Sequence, residues 1–210
     1  MSWVVRRLRG DAGTLQRREL AARSGREVWI METCRPALVL GSTQHDGDVD
    51  PEAATGLDIV QRESGGGAVL VRPGGHVWID LIVPRVDPLW DDDIGRSFLW
   101  LGEVWQRALR SLGVDCEVHR SPPPKTGLSA VACFAGTGWG EVVGTGGKLV
   151  GISQRRTRVA ARFQSVCYVA DPGPLPLRGL SAHDQQVARP ALIGAVPAEV
   201  VQAFVASLPP

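Results

Sequence analysis

Short apolar runs, broken by glycine, proline and aspartate, dominate the chain. Strand-like stretches cover Glu27–Met31, Ala37–Leu40, Leu57–Val60, Ala68–Val71 and His76–Val83, the last closed by Pro84, and each is too short for a stable helix. One segment follows a different period. From Asp92 to Leu112, the residues Ile94, Phe98, Leu101, Trp105, Leu109 and Leu112 recur at the spacing of a single helix face. Three aspartates at its start would suit the positive end of the helix dipole, and Gly113 would stop it. After Val114–His119 and a proline-rich loop, Glu141–Val143 and Lys148–Val150 flank Gly144-Thr145-Gly146-Gly147, which predicts a hairpin. A further strand is expected over Val159–Val169. From Asp171 the chain reads as loop until Pro197, which suits the first turn of a helix over Ala198–Leu208. Many short strands and few helices point to a predominantly β or α+β domain, not to alternating βαβ units.

The length of 210 residues suits one domain, 1–210, in which 171–210 forms a short tail with one helix. A net charge of +1 with no basic run argues against nucleic acid or another polyanion as partner. The start, Met1 to Arg9, has no apolar core of the kind a leader needs, and no apolar stretch reaches the roughly 18 residues of a membrane span. A cytoplasmic protein without a membrane segment is therefore expected. Cys34, Cys116, Cys133 and Cys167 show no C-x-x-C spacing, so neither a metal site nor a disulfide framework is predicted. The default for each is a small buried apolar residue.

Lysine usage changes this picture. Of the 23 basic residues only Lys125 and Lys148 are lysines. Lys125, in the loop Pro122–Gly127, reads as a compositional remnant. Lys148 lies among glycines, downstream of the run Ser64-Gly65-Gly66-Gly67-Ala68-Val69, and a compact ammonium can do what a guanidinium cannot: aim at one oxygen and shift its pKa on desolvation. Successive glycines let backbone N–H groups approach a ligand closely, although the same run can be a bulge or a flexible turn.

Three segments in order then resemble the lipoate-protein ligase and octanoyltransferase family, whose catalytic domain is shared with biotin-protein ligases. Pro36–Gln44 is similar to its P-x-x-x-x-G-x-x-Q strand and turn, Arg62–Val69 to R-x-S-G-G-G-A-V, and Gly147–Gln154 to G-x-K-[VIL]-x-G-x-A-Q. The resemblance covers roughly 28–170. It implies an α+β fold with a mixed, largely antiparallel sheet flanked by helices. It also implies an acyl or lipoyl pocket bordered by Arg62, Ser64, Gly65, Gly66, Gly67, Ala68, Gly151 and Gln154, with Lys148 aimed at the acyl carbonyl or at an activating phosphate. Arg62 matches the second arginine of the family's pair, Gln61 replacing the first; a solvated charge at a strand end is the plainer reading. Ser129–Val143 resembles the segment of one octanoyltransferase group, S-V-C-F-x-A-P-S-x-Y-E-L-V, whose cysteine is the nucleophile and corresponds to Cys133.

Three activities follow from the resemblance. The first is transfer of an octanoyl or lipoyl group from acyl carrier protein through a Cys133 thioester to the lysine of a lipoyl domain, with no cofactor and with Lys148 favouring the thiolate. The second is ligation of lipoate or octanoate with ATP and magnesium, in which Cys133 is dispensable. The third is binding of an acyl group or lipoyl domain without turnover. The shortness of the segment beyond Asp171 favours transfer over ligation. The chain also departs from the family pattern. Val71 and Arg72 stand where the family has a histidine and an acidic residue, His76 reads as structural, Gly136-Thr137-Gly138 replaces the proline and serine of the nucleophile segment, and the N-terminal N-x-A-x-D-E signature is not recognisable between Asp11 and Glu32. Trp78, Trp100, Trp105 and Trp139 read as core, as does Cys167.

Overall fold

The computed structural model describes residues 2–20, 25–123 and 127–210. Lys125 lies outside them. Among the described residues, ten strands form two sheets. The larger takes β1 (Trp3–Gly10), β2 (Arg26–Thr33), β6 (His76–Pro84), β10 (Ala160–Tyr168), β9 (Gly147–Arg156), β8 (Val142–Gly144) and β7 (Glu117–Val118), in that order across the sheet. Only β1 and β2 run parallel; every other pair is antiparallel. The smaller sheet places β3 (Ala37–Leu40) between β4 (Asp58–Gln61), parallel to it, and β5 (Val69–Val71), antiparallel. This is the mixed, largely antiparallel α+β architecture expected.

β6 is buried along its whole length, which explains why its sequence is almost continuously apolar instead of alternating, and β10 is nearly as buried although it carries Arg162, Gln164 and Ser165. Each face of the large sheet has its own core. On one face, α2 (Leu99–Ser111) and α5 (Pro197–Ala206) cover Val28, Leu81 and Phe163, and Trp105 meets Phe204 at a ring separation of 4.4 Å. On the other face the small sheet covers Trp29, Met31, Trp78 and Tyr168. The site lies on this second side.

The helix predicted from Asp92 begins only at Leu99. The aspartates turn the chain instead: Asp91 Oδ1 accepts the Asp93 N–H, Asp93 Oδ1 accepts the Arg96 N–H, and a single 3₁₀ turn, Arg96–Phe98, leads in. Ile94 is accordingly 61% exposed and not part of the buried stripe. Three further short elements interrupt segments read as loop or left unassigned. α1 (Ala12–Gln16) is capped by the Asp11 carboxylate, α3 (Gly127–Val131) precedes Cys133, and α4 (Ala182–Val187) lies in the tail, where Ser181 and Asp184 cap each other. β1 was hidden by its arginines: it is an edge strand, and Arg6 and Arg7 pair with Glu27 and Glu32 of β2. Among the cysteines, Cys116 and Cys167 are buried as expected, whereas Cys34 is exposed and Cys133 only half-buried. No helix among the described residues is long and apolar enough to cross a membrane.

Candidate active site

Two loops and one strand supply the site. The glycine run connects β4 to β5, Cys133 lies in a 3₁₀ turn after α3, and Lys148 is the second residue of β9. The first two are stitched together by backbone: the Ala68 N–H donates to Val131 O at 2.8 Å, and the Cys133 N–H donates to Ala68 O at 3.1 Å. Gly67 is needed at this seam. A Cβ there would come within 2.5 to 2.7 Å of the Ala132 backbone and the Cys133 nitrogen.

Lys148 is buried, and its Nζ donates to both oxygens of Glu141, at 2.9 and 3.0 Å. An ammonium has three N–H donors, and the remaining direction leads to Cys133 Sγ at 4.0 Å. Glu141 is itself fixed by the N–H groups of Gly138, at 2.7 Å, and Ile152, at 3.1 Å. Burial pushes the Lys148 pKa down, but Cys133 and Glu141 push it up more strongly, so the net direction is upward and the group stays cationic. Cys133 is free of disulfides.

Arg62 is not a solvated strand-end charge. It is 5% exposed; Nη2 donates to the carbonyls of Gly65, at 3.0 Å, and Gly67, at 2.8 Å, which braces the glycine loop. Its Nε is buried with no hydrogen-bond partner among the described residues. Burial lowers its pKa, opposed by Cys133, Glu141 and Tyr168.

Cys133 stands where two cavities meet. An apolar one runs between the sheets, walled by Val39, Val69, Val71, Trp78, Gly151 and Val166. An outer mouth is bordered by Gly65, Gly66, Gly67, Trp139, Lys148 and Gln154. Arg62, Cys133, Ile152 and Ser153 belong to both. The pairing of a thiol and a cation at the junction of a greasy slot and an open mouth suits attack on a carbonyl whose tail is held in the slot.

The residues proposed from sequence mostly converge here. Cys133, Lys148, Arg62, Gly65, Gly66, Gly67, Gly151 and Gln154 border one cavity or the other. Ser64 and Ala68 stand behind the walls: Ser64 Oγ joins Ser153 Oγ and donates to Gln164 Oε1, both at 3.0 Å, and Ala68 contributes the backbone seam. Trp78 and Trp139 are wall residues, the latter half-buried rather than core. Val71, at the position of the family's histidine, extends the apolar wall, and His76 is buried with Nδ1 2.8 Å from Arg72 O. Glu141 was not singled out by sequence, although it occupies the glutamate of the nucleophile-segment pattern. Gln16 and Gln164 carried no sequence signal at all.

The family model of the lipoyl protein ligase A/B catalytic domain matches residues 14–171. The chain is 35% identical over 150 residues to the octanoyltransferase LipM of Kyrpidia tusciae, a match covering 67% of this chain and 53% of that protein, so it spans about half the length of this relative. Among solved structures, the bi-partite lipoate protein ligase from Thermoplasma acidophilum, studied with its E2 lipoyl domain, superposes with a TM-score of 0.74 at 17% identity, covering 99% of this chain and 82% of that one. A lipoate-protein ligase A bound with ATP gives 0.67 at 15% identity, covering 98% and 82%. At these identities the structures bear on the fold alone.

Proposed function

Because the chain belongs to the family of the lipoyl protein ligase A/B catalytic domain, we propose that it moves an octanoyl or lipoyl group from a carrier thioester, held on acyl carrier protein, to the lysine of a lipoyl domain through a thioester on Cys133. The observation that carries this is the 4.0 Å approach of Lys148 Nζ to Cys133 Sγ at the junction of the apolar cavity and the mouth. An octanoyltransferase among its relatives supports octanoyl transfer.

In the first half-reaction the Cys133 thiolate attacks the donor's carbonyl carbon. The bond from that carbon to the carrier sulfur breaks, and the departing sulfur takes the proton that Cys133 gave up. In the second, the neutral amine of the acceptor lysine attacks the Cys133 thioester, the amide forms, and the amine's proton returns to the Cys133 sulfur. Negative charge gathers on sulfur and on the carbonyl oxygen in both halves. Lys148, held by Glu141 and desolvated, is the cation placed to receive it. The acyl tail would lie along Val39, Val69, Val71 and Trp78, which excludes water from the thioester.

Intact mass after incubation with octanoyl-acyl carrier protein, without ATP, tests the reading. An octanoyl adduct that hydroxylamine removes is expected on the natural chain and absent from Cys133→Ser. Product formed only with ATP, accompanied by pyrophosphate and unaffected by Cys133→Ser, would replace transfer with ligation. No product under either condition would leave a binding protein.

A further inference from the structure

Of the four residues that border both the apolar cavity and the mouth, Arg62, Cys133, Ile152 and Ser153, only Ser153 carries a side-chain oxygen. It stands where the family's G-x-K-[VIL]-x-G-x-A-Q pattern has alanine, so the hydroxyl belongs to this chain and not to the pattern. β9 places it beside the nucleophile. Gly151 and Ser153 pair with Val166 and Gln164 of β10, and, two residues apart on one strand, they face the same side about 7 Å apart. A Cβ on Gly151 would lie 3.4 Å from Cys133 Sγ, so Ser153 is the next residue along the face that the sulfur touches.

The neighbours fix which way this hydroxyl donates. Asp80, fully buried and paired with Arg162, has Oδ2 3.5 Å from Gln164 Nε2, which holds the amide nitrogen toward the carboxylate and leaves Oε1 to Ser64. Gln164 Oε1 can only accept, so the Ser64 hydroxyl, 3.0 Å away, gives it its one hydrogen. In the 3.0 Å contact between Ser64 Oγ and Ser153 Oγ the donor is then Ser153, and the lone pairs of Ser153 Oγ are left for the junction. The charged groups nearby do not compete as acceptors. Arg62 and Lys148 are cations, and each Glu141 oxygen already takes two donors, one from Lys148 and one from the Ile152 or Gly138 N–H.

We infer that Ser153 is a further catalytic residue, one that serves only the second half-reaction: its Oγ accepts an N–H from the neutral amine of the acceptor lysine and aims the nitrogen at the carbonyl carbon of the Cys133 thioester. This deepens the proposed acyl transfer and rests on it. The amine has two N–H hydrogens. One stays hydrogen-bonded to Ser153 Oγ and ends as the N–H of the amide; the other passes to the Cys133 sulfur as the carbon–nitrogen bond forms and the carbon–sulfur bond breaks. Positive charge gathers on the nitrogen during attack, which strengthens the bond it donates. In the first half-reaction the attacking and departing atoms are both sulfur, no N–H enters, and the Ser153 oxygen has nothing to hold.

Timing the two halves separately tests this. The natural chain and Ser153→Ala are loaded from octanoyl-acyl carrier protein, the acylated protein is isolated, and its discharge is followed by intact mass after mixing with a lipoyl domain. Loading of the variant is expected within about twofold of the natural rate, and discharge to the lipoyl domain at least about tenfold slower. Discharge of the same adduct by the thiol of unacylated carrier protein, an acceptor with no N–H, should be unchanged. Equal slowing of loading and of both discharges would give Ser153 a structural role or a bond to the acyl carbonyl, and overturns the inference. Discharge to the lipoyl domain at the natural rate overturns it as well. Both of these results leave the transfer reading standing, because the adduct has formed; absence of an adduct on the natural chain removes the two together.

Discussion

At the scale of single residues, the site depends on how one ammonium shares its three donors. Two go to Glu141 and the third is directed to Cys133. Lys148→Ala should therefore lower transfer by roughly a hundredfold or more while leaving the acyl cavity intact, so that fatty-acid binding to the Cys133→Ser background changes little. Glu141→Gln is the more informative variant. Losing the carboxylate removes a cause of Lys148's raised pKa, so the ammonium deprotonates at lower pH; the alkaline limb of the rate profile is expected to move to lower pH, with about a tenfold loss at neutrality. A purely structural role for Glu141 would reduce the rate without moving that limb. Lys148 and the glycines were legible because each stands in a run of unusual composition, and Cys133 only through the segment that resembles the family's nucleophile pattern. Glu141 was legible only as one letter of a pattern, and Gln16 not at all, because its partner Gln164 lies 148 positions away and nothing local marks the pair.

At the scale of elements, the seam between the glycine loop and the Cys133 turn tolerates no side chain at Gly67. Gly67→Ala must displace the Ala132–Cys133 backbone, and a stability loss of about 2 kcal/mol together with near-complete loss of acylation is expected, read by chemical denaturation and intact mass. His76, the first residue of β6, gives a pH test. Burial lowers its pKa below the ordinary 6.5, opposed by its bond to Arg72 O. The unfolded chain therefore takes up a proton before the folded chain does, and stability falls as pH drops through about 6.5 toward the lower folded value. His76→Gln should flatten the melting temperature over that acid window. Strands β3 and β6 could be read from their apolar runs because both faces of each are buried. The start of α2 could not: its aspartates hydrogen-bond backbone amides in turns, a local alternative that periodicity does not register. Nor could β1, whose arginines belong to an edge where charge is tolerated.

At the scale of the molecule, the large sheet separates stability from chemistry. Phe204 of α5 is buried against Trp105 of α2, on the face away from the site, and Phe204→Ala is expected to cost about 3–5 kcal/mol while leaving the acylation rate of the remaining folded protein nearly unchanged. A clear drop in that rate well below the melting transition would show the two faces to be coupled. The same arrangement limits how the chain can change in length. Along β10, Phe163 and Cys167 belong to the helix-side core, while Gln164 and Val166, two residues apart on the alternate positions, line the cavity and Arg162, next in that row, is held by buried Asp80, so one strand serves both sides of the sheet. A single inserted or deleted residue in that strand would exchange the two sets, driving a guanidinium and an amide among the helices and a phenyl ring into the acyl slot. Insertions and deletions in descendants of this chain should therefore collect in the turns, around 85–95 and 171–181, while the central strands accept substitutions but keep their length.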